Sequence, residues 1–271
     1  YALFINKQKL IMAAKLDEII DFRQILFRII KNWFFFAISL FIAFSIAFAY
    51  NRYTYELYMV ETSLLIKEEN SIATASDLLN TRVPLNKKSI ENKELMIKSF
   101  PLVYKTLQDL RFDISYYIEG NIKTSEVYTS PIHVRCANTE DLKGKVIRVE
   151  IIDFNSFLFI DTQSKEEQIK QFNEKFLFYG VEISIKQSTL HPFNEGINPP
   201  VIVKFYDLQY LTQLYQNKIL VTQKHRGSTV INISILSQDQ QKGAAFLNKL
   251  TDNYIKHEVN EKNIESINTV R

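Results

Sequence analysis

Residues 33–50 read WFFFAISLFIAFSIAFAY, from Trp33 to Tyr50, with no charge and with Ser39 and Ser45 as the polar interruptions. At about 1.5 Å of helical rise per residue the run covers roughly 27 Å, close to the roughly 30 Å hydrocarbon core of a bilayer. No other stretch stays apolar for half that length. The sequence therefore predicts a single transmembrane helix near the N-terminus, and everything after it reads as a tethered extramembrane domain.

The flanks orient the span. Arg23, Arg28 and Lys31 precede it, whereas the downstream side offers Arg52, soon offset by Glu56 and Glu61. Positive charge collects on the cytoplasmic side of membrane helices, so the N-terminus is placed in the cytoplasm and the bulk of the chain across the membrane. Trp33 at one end and Tyr50, Tyr53, Tyr55 and Tyr58 at the other are amphipathic rings suited to headgroup level. The competing reading is a cleavable signal peptide with Ala47-Phe48-Ala49 as a small-x-small site. That reading fits less well: a signal core runs about 7–15 residues and does not follow a segment carrying Asp17, Glu18 and Asp21. Both readings export the rest of the chain.

Upstream, Leu16, Ile19, Ile20, Ile25, Leu26, Ile29 and Ile30 recur at helical spacing. They predict a short amphipathic helix in a cytoplasmic leader, residues 1–32, lying at the inner membrane face. The chain opens on Tyr1, and Met12 is the first candidate initiator.

Downstream of the span, about 220 residues suffice for one sizeable core or two small lobes. The net charge of +3 comes from 33 basic and 30 acidic residues, without a basic tract of the length that nucleic-acid arms need, so nucleic acid is not an expected partner. Cys136 is the lone cysteine, which rules out an internal disulfide or a thiolate metal cluster and reads as a packed strand residue. With six Gly and six Pro, the composition does not suit a collagen-like or low-complexity chain.

Tyr55 to Lys67, YELYMVETSLLIK, is rich in β-formers and predicts a strand leaving the membrane. Residues Ser71 to Pro84 are polar and turn-rich. A helix starts near Asn86, with Ile90, Leu95 and Ile97 toward a core, and breaks near Ser99. Ser99-Phe100-Pro101 restarts a helix, since Ser is a good N-cap and Pro is tolerated in a first turn. Its stripe is Val103, Leu107 and Leu110. Phe112 to Tyr117 is a short extended piece. Tyr128 to Ala137, Lys145 to Asp153, Phe157 to Asp161, Val181 to Gln187 and Val201 to Phe205 are predicted strands, short, rich in β-branched or aromatic residues and bounded by turn formers. Ser164 and Glu167 make a capping-box pattern before Ile169, Phe172 and Phe176, predicting a short helix closed at Gly180. Thr229 to Leu236, TVINISIL, alternates with period two and predicts a half-buried strand. Ser237 and Gln240 form another capping-box pattern. The helix that follows carries an apolar stripe of Ala244, Leu247, Leu250 and Tyr254, which fades into EVNEKNIES, so it is expected to leave the core and project.

No catalytic signature, cofactor motif or metal motif is expected. His133, His191, His225 and His257 are scattered without ligand spacing. The glycines form neither a dinucleotide fingerprint nor a P-loop, and there is no G-x-S-x-G. Glu68-Glu69 and Glu166-Glu167 are adjacent pairs whose side chains diverge, a solvated surface rather than converging catalytic carboxylates. Lys87-Lys88 and Lys224-His225-Arg226 read the same way, with contact to an anionic polymer as the competing role.

Three blocks, in order, resemble the chain-length determinant family of polysaccharide co-polymerases, the Wzz/Wzc group, particularly its Bacteroidetes-type exopolysaccharide transport members. The first is LDEIIDFRQILFRIIKNWFFF entering the span, followed by YELYMVETSLLI. The second is ENKELMIKSFPLVYKTLQDLRFDISYYIEGNIKTSEVYTSPIHV, similar to the family's helix pair followed by its YY-x-E-G and E-x-Y segments. The third is GSTVINISILSQDQQKGAAFLNKLTDNY, similar to the family's strand, polar turn and A-x-x-x-L-N-x-L-x-x-x-Y helix. The resemblance covers Leu16 to Arg271, and its specificity lies in the ordered set.

The resemblance implies an α+β fold: an N-terminal transmembrane helix (33–50), a periplasmic mixed α/β base domain of one or two lobes (51–236), and the start of a projecting C-terminal helix (237–271). It further implies an inner-membrane protein acting as a ring-like homo-oligomer. Its partners would be the lipid bilayer, a polysaccharide polymerase, the export machinery and the nascent polysaccharide. The expected role is a non-enzymatic scaffold that sets the chain length of exopolysaccharide, capsule or O-antigen lipopolysaccharide. The family pattern continues into a second span, so the chain reads as an N-terminal fragment. In Wzc-like members a cytoplasmic tyrosine autokinase follows that span, which makes the periplasmic half of such a kinase the main alternative. A receptor sensor domain and a periplasmic secretion or efflux adaptor are the remaining ones.

Overall fold

The computed structural model describes residues 27, 30–65, 85–120, 122–188, 198–223, 225 and 230–269. The expected amphipathic leader helix, the turn-rich segment at 71–84 and His191 lie outside the described residues. The chain forms two units, Tyr1–Thr54 and Tyr55–Arg271.

In the first unit, helix α1 runs from Trp33 to Tyr53, 21 residues with no buried side chain. Nothing in the run breaks a helix, since it lacks Pro and Gly. It ends where Thr54 turns to an extended conformation, its N–H and hydroxyl both donating to the Tyr50 carbonyl at 3.0 and 2.7 Å. This is a helix long and apolar enough to cross a membrane.

The second unit is a mixed α/β structure with two hydrophobic cores. The first core lies under a three-stranded antiparallel sheet, in the order β1 (Tyr58–Leu65), β12 (Val230–Ser237), β11 (Leu220–Gln223). β1 and β12 pair from Tyr58↔Ser237 to Leu65↔Val230. Alternation turns Met59, Glu61, Ser63 and Leu65 outward, while Val60 and Leu64 pack on the core with Ile231, Ile233 and Ile235. Helices α2 (Leu85–Ile97), α3 (Phe100–Asp109), α4 (Leu208–Lys218) and α5 (Gln240–Thr269) supply the rest of this core. Val103, Leu107, Phe246, Leu247, Leu250 and Tyr254 are at most 1% exposed, and each such burial stabilises the fold by about 1.5–3 kcal/mol.

Most helix boundaries follow local chemistry. α3 starts after Ser99, with Pro101 in its first turn, although the Ser99 side chain makes no capping bond. In α2, Ile97 is buried but Leu95 is 70% exposed, contrary to the expected apolar face. At α5 the cap is Asp239 and not Ser237: Asp239 Oδ1 accepts the Lys242 N–H at 3.0 Å, while Ser237 Oγ donates to the Asp239 carbonyl. No described side chain of α5 beyond Tyr254 is buried, and Ile255, Val259, Ile264 and Ile267 face outward. The helix therefore leaves the core as its pattern predicts.

The second core lies between two antiparallel sheets. One has six strands, in the order β3 (Thr124–Val127), β2 (Ile114–Glu119), β10 (Val201–Phe205), β5 (Val146–Ile151), β6 (Ser156–Asp161), β7 (Glu167–Gln171); the other has three, β4 (Ile132–Cys136), β9 (Val181–Gln187), β8 (Lys175–Phe178). Ile147, Val149, Phe157, Val201 and Val203 from the first meet Ile132, Val134, Ile183 and Ile185 from the second.

One sequence expectation fails here. The helix predicted from Ser164 to Gly180 is instead the pair β7 and β8. Ser164 Oγ donates to Asp161 Oδ2 rather than capping a helix. Phe172 and Phe176 set their rings 4.9 and 5.1 Å from Phe157 and Phe159, both on β6. Gly180 closes no helix. With φ of 48° at Tyr179 and 81° at Gly180, the two residues make the left-handed turn that joins β8 to β9. Helix α4 and strands β3 and β11 were not predicted. Asp207 caps α4 by accepting the Gln209 N–H at 2.8 Å, and Leu208, Leu211 and Tyr215 at helical spacing were the legible signal.

Candidate functional site

The two cores meet where the start of α5 packs on the β2–β3 hairpin. Lys242, in the first turn of α5, is 6% exposed. Its Nζ donates to Ser115 Oγ on β2 at 2.9 Å and to the Glu126 carboxylate on β3, and lies 4.6 Å from the centre of the Phe112 ring. A lysine is held charged in such a place only if its donors are matched, and here a carboxylate, a hydroxyl and a ring face match them. Asp239 ties the same turn to the next segment, accepting the Tyr128 N–H at 2.7 Å on Oδ2 and the Lys242 N–H on Oδ1. The Thr129 hydroxyl donates to Gln241 Oε1 at 2.6 Å. The base of the projecting helix is thus latched to residues 115–129 by side chains that share no local sequence.

Aromatic groups fill the space beside the latch. Phe112, Tyr215 and Phe246 pack with ring centres 4.7 to 6.5 Å apart. Burial pushes the Tyr215 phenol well above its ordinary value, with the Glu126 carboxylate adding to the effect. Tyr117 shares a hydrogen bond of 2.8 Å with Tyr206. Its phenol is raised well above the ordinary value by burial and then by Glu126. Tyr116 accepts the Val134 N–H at 2.9 Å and bridges the two sheets, and burial raises its phenol to about 12.

Two clefts open on either side. One, of about 690 Å³, is lined by Tyr58, Ile118, Glu126, Pro199, Asp239 and Gln241 among others. The other is a groove of about 1040 Å³ bordered by β2, β4, the end of β9 and the first turn of α5. Arg111, His133, Arg135, Lys186 and Lys242 line it together with Phe112, Tyr116 and Tyr128. His133 stands directly opposite Lys186 in the β4–β9 register, and Arg135 follows on the same face.

The residues singled out in the sequence fall in different places. Cys136 is half-buried at the end of β4 beside this groove. Burial pushes its thiol up, and the Arg111 guanidinium 3.8 Å away opposes that without reversing it. Of the histidines, His133 reaches the groove, His225 is exposed, and His257 lies 3.8 Å from Glu261 on α5. Glu166 and Glu167 are exposed at the start of β7. Lys224 and Arg226 lie outside the described residues, and Lys87 and Lys88 lie on α2. Among the described residues no group of three or more His, Cys, Asp or Glu is placed to hold a metal ion. Sequence reading did not single out Lys242, Glu126, Arg135 or Lys186. The alternation of Ile132, Val134 and Cys136 with His133 and Arg135 puts the latter two on one face, but nothing local aims them at Lys186 or at α5. Compared with known families and with curated proteins, the chain matches no family model and no curated protein.

Proposed function

We propose that this chain is the membrane-anchored, periplasmic part of a polysaccharide co-polymerase, a non-enzymatic scaffold that sets the chain length of an exported polysaccharide. The observation that carries the reading is how its three resembling sequence blocks assemble. β1, from the first block, pairs along its whole length with β12, from the third. α3, from the second block, packs on α5, from the third, where Asn253 Nδ2 donates to Asp109 Oδ2 at 3.2 Å and Lys249 lies 3.2 Å from the same carboxylate. The helix long and apolar enough to span a membrane stands just before β1 in the chain. The domain is thus entered and left on neighbouring strands, and α5 starts at the end of the sheet where the chain comes in.

In this reading the N-terminus is cytoplasmic, the second unit is periplasmic, and several copies form a ring around the polymerase, using many weak contacts in place of one deep catalytic pocket. Deleting the gene and sizing the surface polysaccharide on a gel tests it. A changed length distribution or amount supports the scaffold, and an unchanged profile overturns it. Cross-linking and mass measurement of the full-length protein in detergent test the ring, which monomers alone would exclude.

A further inference from the structure

The groove between β2 and β4 has a one-sided charge. Arg111, Arg135, Lys186 and Lys242 line it, and among the described residues no carboxylate does. Lys242 is matched from behind by Glu126, and Arg111 Nε lies 3.6 Å from Asp113 Oδ1. Arg135 and Lys186 have no acidic partner among the described residues. The nearest acidic residue on their face of the β4–β9 sheet by register, Glu182, is engaged by Lys175 at 2.7 Å. Arg135 is exposed and Lys186 half-buried, so the guanidinium of the one and the ammonium of the other can meet a ligand.

The geometry suits a chain rather than a point anion. His133 and Arg135 stand two residues apart on one face of β4, a spacing of about 6.5–7 Å, with Lys186 across from His133. Tyr128, 38% exposed, presents a ring to the groove, set edge-on 6.1 Å from the buried Phe112, and the Tyr116 ring stands edge-on 6.0 Å from His133. The remaining lining groups include Thr129, Gln187 and Gln241, amides and a hydroxyl able to bond ring hydroxyls. Cations spaced along an edge, with an exposed tyrosine ring and neutral polar groups beside them, are the chemistry that recognises a sugar chain bearing carboxylates.

We propose that this groove binds an acidic glycan, with Arg135 and Lys186 pairing to its carboxylates and Tyr128 packing on a ring face. This rests on the reading of the chain as a polysaccharide-handling protein and narrows it to an acidic polymer segment.

The test uses the full chain in a non-glycosidic detergent, titrated with a fluorescent hexamer of galacturonic acid, a maltohexaose of equal length and a single-stranded DNA decamer. The expected result is binding of the galacturonate hexamer that weakens from 50 to 300 mM NaCl. Arg135→Gln with Lys186→Gln weakens it at least about tenfold, while Lys256→Gln, exposed on α5 and outside the groove, leaves it unchanged. Equal binding of the maltohexaose, equal binding of the DNA, insensitivity to the double substitution, or no binding of the hexamer each overturns the proposal. None of these outcomes bears on the gene-deletion phenotype, so the groove and the scaffold reading fail separately.

Discussion

Lys242 on α5 and Glu126 on β3 stand 116 residues apart in sequence and meet as an ion pair whose side chains are 8% and 19% exposed. The pair joins the helical core to the six-stranded sheet. It is the only ion pair among the described residues in which both side chains are under a fifth exposed.

Removing one member strands the other away from water. Lys242→Met or Glu126→Leu is expected to cost roughly 3 kcal/mol, read from urea unfolding of the full chain in detergent. Glu126→Leu combined with Lys242→Met is expected to cost less than the sum of the single changes, because the apolar pair leaves no orphaned charge. Strict additivity would show that the two residues do not act on each other.

Gly243 sits where α5 crosses β1. A Cβ there would come 2.9 Å from Val60 Cγ2 and 3.1 Å from Ser237 Cβ. Gly243→Ala is therefore expected to destabilise by about 1–2 kcal/mol, overpacking outweighing the gain in helix propensity. Gly243→Leu is expected to prevent folding of the second unit. A melting temperature for Gly243→Ala at or above that of the natural chain would contradict the close packing.

Asp161 organises the β6–β7 connection that the sequence misrepresents. Burial pushes its carboxyl up, but hydrogen bonds from the Gln163 N–H, the Ser164 hydroxyl and the Tyr179 hydroxyl outweigh this and hold it below the ordinary aspartate value. A carboxyl depressed in the folded state stabilises above its unfolded value of about 3.9, and that contribution is lost as pH falls through the folded value. Asp161→Asn should cost about 1–2 kcal/mol from pH 5 to 8, with the gap to the natural chain closing below about pH 4. A gap that widens in acid would refute this sign.

Charges inside α1 test its membrane role. Phe41→Arg with Ile42→Arg places two guanidinium groups mid-helix, each costing about 2.5–3.5 kcal/mol at the bilayer centre. The substituted protein should leave the membrane fraction on alkaline carbonate extraction, where the natural chain should stay. Retention of the double variant would count against a spanning helix.

Local chemistry made much of this protein legible in its sequence. The uncharged run at 33–50 is a helix because nothing in it breaks one, and it extends three residues further, to Tyr53. Val181–Gln187 and Val201–Phe205 are strands with the expected bounds because period-two burial is written into each segment. The stripe of Leu247, Leu250 and Tyr254, and its fading, foretold a helix that leaves the core. The tertiary structure alone decided the rest. Residues 164–180 fold as strands because Phe172 and Phe176 find Phe157 and Phe159 on β6, a gain that outweighs a local capping pattern. Lys242 reaches Glu126, and Lys186 faces His133, because of strand register and helix packing. Those depend on partners far away in the chain, and no window of sequence contains both members of either pair.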